Sequence, residues 1–167
     1  MGADSAGVGG LSLQTRLDRK IYRVGPMLLG FTTSYRMGKL LGHRLKVPDH
    51  DPRMATEKYM AIDFVDAVRQ CLKDGGYAKK LNEVEEGGLF LVGYQGRIFE
   101  VESDYQVGEQ QQLYAAVGCG FDLALGSLYT TSMIDGTYTP EDRIRLALEA
   151  AEMFSAGVRR PFIFETL

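Results

Sequence analysis

The chain has 167 residues, of which 45% are apolar and 25% charged, and its net charge is -3. This composition suits one globular domain, which we assign to residues 1–167, and the weak charge gives no reason to expect nucleic acid as a partner. No apolar run is long enough to span a bilayer, and the opening residues lack the pattern of a signal peptide. We therefore expect a cytoplasmic protein with no membrane partner.

The first half of the chain predicts a hairpin followed by two helices. Ile21–Val24 alternates apolar and polar residues before a Gly-Pro turn, and the apolar run 27–33 indicates a strand covered on both faces. Ser34 is a candidate N-cap for a helix that runs towards Lys46. Apolar side chains spaced three and four residues apart predict a second helix over 56–73.

The middle of the chain predicts further strands. A polar connection at 81–88 precedes three segments with the composition of strands, and Gln95-Gly96 is typical of a tight hairpin turn between the first two. The predicted strands are 89–94, 97–102 and 113–117.

The last part of the chain predicts two helices and a strand. The first helix is expected at 121–129. The second is marked by Thr139 and Asp142, a capping-box pair around Pro140 at the first helical position, and 161–164 then indicates a strand. The order of strands, helices, strands, helices and strand favours an α+β layered sandwich over alternating βαβ units.

Three segments carry a resemblance to a known family. Residues 2–5, Gly-Ala-Asp-Ser, are followed by Lys20 just before a strand, and the spacing from Asp4 to Lys20 matches the family pattern without a gap. Residues 114–120, a strand that ends in Gly-Cys-Gly, and 154–157, Phe-Ser-Ala-Gly, are similar to two further family segments. The chain resembles proteasome β subunits and HslV-type peptidases, and most closely small proteasome-like proteins of bacteria and their phages.

This resemblance implies an N-terminal nucleophile (Ntn) hydrolase with a four-layer αββα sandwich. In the family the nucleophile is an N-terminal Thr, Ser or Cys whose own α-amino group can act as the base. On the family pattern it lies about a dozen residues before Asp4, on a strand that pairs with the strand at 2–4. We therefore expect the fold to be truncated at its first strand and the chain to be inactive as given.

The resemblance also implies a set of catalytic residues. Lys20 would stabilise negative charge on the nucleophile, and Asp4 would hold that ammonium in place and charged. The backbone N–H of Ser34 falls at the position of an oxyanion donor. Ser155 and Glu152 align with family residues near the terminal amine, although Glu152 replaces a shorter Asp.

Substrate-binding positions follow from the same alignment. They fall on Gly7, Val8, Thr32 and Arg36. An arginine at position 36 would favour an acidic substrate side chain, and the alternative is that Arg36 pairs with Asp18. No metal and no cofactor are implied.

Simpler interpretations exist for several of these residues. Asp4 and Lys20 could form a purely structural pair, and Ser34 could act only as a helix cap. Cys119 could serve as a thiol nucleophile with His43 or His50, although a small buried cysteine is the favoured interpretation. The two histidines with nearby aspartates also suggest a metal site, but a solvated loop accounts for them better. Phe121 stands where active relatives carry a serine.

Three functions are therefore open. The first is a threonine-type peptidase or amidase, active only with the nucleophile strand present. The second is a non-catalytic, proteasome-like assembly or scaffolding subunit, and the third is a small-molecule amidase of the same superfamily, since the fold does not fix the substrate. The expected partners are a peptide or amide substrate and other copies of the chain in a ring-type homo-oligomer. An ATPase partner is left open.

Overall fold

A computed structural model describes residues 1–77, 79–81, 84–134 and 136–167, and for 79–81 and 84 only the backbone. In these residues the strands are β1 Gly2–Ala3, β2 Ala6–Gly9, β3 Ser12–Thr15, β4 Ile21–Val24, β5 Met27–Phe31, β6 Lys79–Leu81, β7 Val84–Glu86, β8 Phe90–Tyr94, β9 Arg97–Val101, β10 Val107–Glu109 and β11 Ile163–Phe164. The helices are α1 Tyr35–Arg44, α2 Thr56–Tyr59, α3 Val65–Asp74, α4 Phe121–Ser132 and α5 Pro140–Phe154, and a π-helical segment, Met60–Phe64, joins α2 to α3.

The main sheet is antiparallel and has the strand order β10-β9-β8-β5-β4. Alternate side chains of a strand point to opposite faces, so Met27, Leu29 and Phe31 of β5 join one core while Leu28 and Gly30 face the other side. Helices α1 and α3 cover the first face, where the largest buried side chains lie. These include Tyr59, Phe64, Phe90 and Phe99.

A second layer covers the opposite face of the main sheet. Strand β1 pairs antiparallel with β11, and the chain terminus joins this ladder, because the Met1 amine donates to the Glu165 carbonyl at 2.7 Å. Gly2 packs against Ile144 of α5, and α4 and α5 pack on each other as the outer layer. The molecule is therefore layered as helices, sheet, sheet and helices, which confirms the predicted α+β sandwich.

The predicted helix and turn signals are largely confirmed. The Ser34 side chain caps α1 by accepting from the backbone N–H of Arg36 at 3.1 Å. Thr139 and Asp142 form the reciprocal capping box of α5. Gln95 and Gly96 have φ angles of 51° and 73°, the left-handed values that a tight type I′ hairpin turn needs.

Three predictions about the elements were wrong. Residues 113–117 are not a strand, because no described neighbour pairs with them. The connection at 81–88 carries β7 and the end of β6, a hairpin in which residues 82 and 83 lie outside the described part. The helix predicted over 56–73 is interrupted by its π-helical segment. Among the described residues, no helix is both long and apolar enough to cross a membrane.

The capping box of α5 gives a first stability prediction. Replacing Thr139 with Ala removes the side-chain oxygen that accepts the Asp142 N–H at 3.1 Å, so we expect a loss of about 1 kcal/mol in the free energy of unfolding. Urea unfolding followed by circular dichroism measures it. Thr139→Ser keeps the oxygen and should retain most of the stability; equal losses in the two variants would contradict the capping role.

A second prediction concerns alkaline pH. Burial raises the pKa of Tyr59 to about 12, and its hydroxyl donates to the Pro48 carbonyl at 2.7 Å. An unfolded chain loses this proton near pH 10, about two units lower, so the stability present below pH 10 should fall as the pH rises towards 12. Urea unfolding at a series of pH values should show this fall, and Tyr59→Phe should make it smaller without abolishing it, because burial also raises the pKa of Tyr35 to about 12. An unchanged slope in Tyr59→Phe would contradict the assignment.

Candidate active site

The structure brings Asp4 and Lys20 together. Lys20 Nζ donates to Asp4 Oδ1 at 2.6 Å, and the two side chains are only 14% and 12% exposed. Lys20 directly precedes β4 and Asp4 directly follows β1, so the ion pair ties the edge of the main sheet to the second layer. The contact that the sequence spacing predicts is therefore present.

Asp4 is held by more than the lysine. Its second carboxylate oxygen accepts the backbone N–H of Ala6 at 2.8 Å and that of Arg159 at 3.1 Å. The Arg159 guanidinium in turn donates to carbonyls at the C-terminal end of α5, including that of Ser155 at 3.2 Å. The carboxylate is thus fixed by groups from three parts of the chain, which leaves it little freedom to turn away from Lys20.

An aromatic ring lies beside the ion pair. The Arg16 guanidinium stacks over the Tyr35 ring at 4.3 Å, and Lys20 Nζ lies 5.8 Å from the same ring centre. The Tyr35 hydroxyl donates to the Ala6 carbonyl at 3.2 Å, and burial, followed by the charge of Asp4, raises its pKa to about 12. Tyr35 therefore stays neutral at physiological pH and packs the lysine from one side.

The ion pair lies in a long groove of about 1110 Å³ between the two layers. Its lining comes from the main sheet, from β1, from α4 and α5 and from residues 113–117. Apart from Asp4 and Lys20, its only charged lining side chain among the described residues is Arg143. The site is therefore a largely apolar groove with a mostly buried ammonium at one place on its wall.

Ser34 lines the same groove, but its backbone N–H is already engaged. It donates to the Thr32 carbonyl at 2.7 Å, across Thr33, whose φ of 65° lies in the left-handed region. A non-glycine residue at this angle is strained, and such turns are found at functional sites. An oxyanion would have to compete with the Thr32 carbonyl for this donor.

Ser155 and Glu152 lie at the C-terminal end of α5, near Asp4. The Ser155 hydroxyl accepts the Gly157 N–H at 3.3 Å, as a residue that ends a helix often does. The Glu152 carboxylate is bound to Arg160 through the backbone N–H and the guanidinium, both at 2.9 Å. Both side chains therefore already have partners.

The four predicted substrate-binding residues divide into two groups. Gly7, Val8 and Thr32 line the groove. Arg36 does not, because its guanidinium donates to the Gly75 carbonyl at 2.8 Å on the far side of α1. The alternative pairing of Arg36 with Asp18 was also wrong, since the Asp18 carboxylate binds Arg16 and Lys39 instead.

The remaining candidates from the sequence differ in whether they line the groove. Cys119 is exposed, so the favoured interpretation of a buried thiol was wrong, but it lines the groove. Phe121 also lines the groove and is 44% exposed. His43 packs on Tyr22, and His50 bonds to Tyr94 and Met54, so neither histidine lies in the groove with Cys119.

Sequence reasoning missed three residues of this site. The Arg159 backbone N–H donates to Asp4, and the Tyr35 ring lies beside Lys20. A backbone donor leaves no side-chain pattern in the sequence, so the sequence could not indicate the Arg159 contact. Arg143 lines the groove, and its buried Nε has no hydrogen-bond partner among the described residues. Its position three residues after Pro140, on the apolar helix face with Ala147 and Ala151, is the signal that could have found it.

Comparison with known proteins shows which fold this chain has. No protein-family model matches the chain, and no curated protein sequence matches it. Among solved structures, BPH of Thiobacillus denitrificans in complex with epoxomicin is 23% identical with a TM-score of 0.79, and the match covers 97% of this chain and 88% of that one.

Two further solved structures share the fold. Eukaryotic HslV from Trypanosoma brucei is 15% identical with a TM-score of 0.66, over 97% of this chain and 88% of that one. Anbu, an ancestral beta-subunit from Yersinia bercovieri, is 14% identical with a TM-score of 0.58, over 96% of this chain and 73% of that one. The chain has the proteasome-like Ntn-hydrolase fold, as the resemblance predicts.

Proposed function

We propose that the groove is the catalytic centre of a threonine-type Ntn hydrolase that cleaves peptide or amide bonds. The observation that carries the proposal is the mostly buried Lys20 ammonium, held 2.6 Å from the Asp4 carboxylate on the wall of a largely apolar groove. An ammonium in this setting stabilises a developing alkoxide or a deprotonated hydroxyl beside it. The same pair in a purely structural role would need no groove next to it.

The nucleophile itself is an N-terminal residue that comes to lie beside Lys20. Its α-amino group serves as the base, because an α-amine has a pKa of about 8 and is partly neutral at physiological pH. We place it on a strand alongside β1, about a dozen residues before Asp4 in the family pattern. Epoxomicin bound to BPH shows that one protein of this fold takes up a ligand, and a peptide substrate is our assignment for this chain.

The test is to supply that strand and measure hydrolysis. The chain is extended by the segment encoded upstream, or by a designed strand and turn, and a specific protease exposes an N-terminal threonine. We expect turnover of fluorogenic peptides and compare those ending in Asp, Leu and Arg with simple amides. The matched control begins with alanine and should be inactive; equal rates with threonine and alanine would overturn the proposal.

A second candidate is a non-catalytic assembly subunit of the same fold. Two contacts favour it, because each engages a group that was predicted to be catalytic. The Ser34 N–H donates to the Thr32 carbonyl, and the Glu152 carboxylate binds Arg160. Large exposed apolar side chains, Met153 and Phe154 at 74% and 76% exposure among them, favour self-association into a homo-oligomer in either case. Sedimentation as an oligomer, together with no peptide hydrolysis by the threonine-bearing protein, would favour this candidate.

A further inference from the structure

The turn before α1 holds the predicted oxyanion donor in a strained conformation. The Ser34 N–H donates to the Thr32 carbonyl at 2.7 Å, which closes a three-residue turn around Thr33. The φ of Thr33 is 65°, an angle that β-branched residues rarely adopt, because their Cβ crowds the backbone there. Strain of this kind persists only where the surrounding contacts hold it in place.

Contacts with the neighbouring chain segment hold this turn at both ends. The Thr32 N–H donates to the Leu89 carbonyl at 3.1 Å, and the Thr33 hydroxyl accepts the Leu89 N–H at 3.2 Å. The Thr33 Cβ also packs closely against Gly88, where an added Cβ would lie 3.4 Å from it. These contacts fix the Cα positions of Thr32 and Thr33, but they do not involve the peptide group between the two residues.

That peptide group can rotate while the contacts with Leu89 stay in place. A half-turn of the Thr32–Thr33 peptide changes the ψ of Thr32 and the φ of Thr33, and it carries this φ from 65° to about −115°, inside the β region. The Thr32 carbonyl then points away from Ser34. The rotation therefore removes the left-handed strain and breaks a single hydrogen bond, the one that engages the Ser34 N–H.

The same rotation brings two N–H donors together. None of the residues that the structure describes accepts the Thr33 N–H. A half-turn moves this N–H to the side that the Thr32 carbonyl now occupies, next to the Ser34 N–H. Neighbouring backbone N–H groups that point to one place bind anions, and two such donors form the oxyanion hole of serine proteases. Thr32, Thr33 and Ser34 all line the groove, so this pair of donors would serve the candidate active site.

We propose that the Thr32–Thr33 peptide is a latch on the oxyanion site, closed in this structure and opened by a half-turn, with the Thr33 N–H as a second oxyanion donor. The inference rests on the proposed function and adds how its site is switched on. Without a ligand the open form leaves two N–H groups without an acceptor, so the closed form is favoured. A negatively charged oxygen in the groove reverses this balance, because it binds only the open form.

Substitution of Thr33 by glycine and by valine tests the latch in the chain itself. Both changes remove the hydroxyl that accepts the Leu89 N–H, but glycine adopts a positive φ readily and valine does not. Glycine should therefore favour the closed form and valine the open form. We expect the protection factor of the Ser34 amide, measured by hydrogen exchange and corrected for intrinsic rates, to be at least about fivefold higher in Thr33→Gly than in Thr33→Val.

The Thr32 amide is the internal control for this comparison. It donates to the Leu89 carbonyl and takes no part in the rotation, so its protection should be the same in the two variants. Equal protection of Ser34 in the two variants would overturn the latch, and so would an equally large change at Thr32, which reports loss of the whole turn. If Thr33→Val does not fold, Thr33→Ala replaces it, because alanine also has a Cβ and lacks the hydroxyl.

The kinetics of the threonine-bearing protein give the second test. The closed latch withholds both donors from the reacting oxygen and leaves the rest of the groove unchanged. Thr33→Gly should therefore have a kcat at least about fivefold lower than that of Thr33→Val, with KM values within about twofold of each other. Equal kcat values in a protein that hydrolyses peptides would overturn this inference and keep the proposed function. No hydrolysis by the parent protein would refute the proposed function, and the exchange at Ser34 would still decide whether the latch exists.

Discussion

Replacing Lys20 with methionine is expected to lower kcat/KM for peptide hydrolysis about 10³-fold in the threonine-bearing protein. Methionine keeps the length and the packing against Tyr35 but removes the ammonium that stabilises charge on the nucleophile. The measurement is initial-rate kinetics with a fluorogenic peptide, alongside circular dichroism to show that the variant is folded.

The control for this variant is Lys39→Met. Lys39 is also a lysine in an ion pair, with Asp18, but it lies on the exposed face of α1 and does not line the groove. We expect its kinetics to stay close to those of the parent protein. Comparable losses in Lys39→Met and Lys20→Met would show that the effect comes from general charge or stability.

Replacing Asp4 with alanine is expected to cost about 3–5 kcal/mol in the free energy of unfolding. The change leaves the Lys20 ammonium without its carboxylate in a mostly buried site, and it removes the acceptor of the Ala6 and Arg159 N–H groups. Urea unfolding measures the loss as a lower midpoint with an unchanged slope.

Asp4→Asn separates charge from hydrogen bonding. Its side-chain oxygen can still accept a backbone N–H, so we expect a loss of stability smaller than that of Asp4→Ala. Asp18→Ala removes another carboxylate with two cationic partners, but on a more exposed surface, and should cost much less. A loss in Asp4→Ala no larger than in Asp18→Ala would contradict the account of a carboxylate fixed from three sides.

The sequence predicts those features whose cause is local. The hairpin of β4 and β5 and the capping box of Thr139 and Asp142 follow from residues that are adjacent in the chain. The contact between Asp4 and Lys20 is different, because only the family spacing indicates it and the fold has to bring β1 next to β4. Its presence is the part of the candidate site that sequence reasoning located correctly.

Features that depend on distant partners were not predictable from local patterns. Arg36 was assigned to the substrate site, but the Gly75 carbonyl at the end of α3 captures its guanidinium. The strand-like composition of 113–117 was recognised, yet a strand needs a neighbour, and none of the described residues supplies one. The sequence did not predict the antiparallel pair of β2 and β3, because the glycines of β2 leave too few side chains to form an alternating pattern.

The most direct test of the central claim is to find where an acyl group from an activated peptide ester is attached to the threonine-bearing protein. Intact-mass measurement gives the stoichiometry, and peptide mapping gives the residue. The account predicts one acyl group on the N-terminal threonine, absent from Lys20→Met. Acylation at the exposed Cys119 instead, or equal labelling of the threonine with and without Lys20, would contradict it.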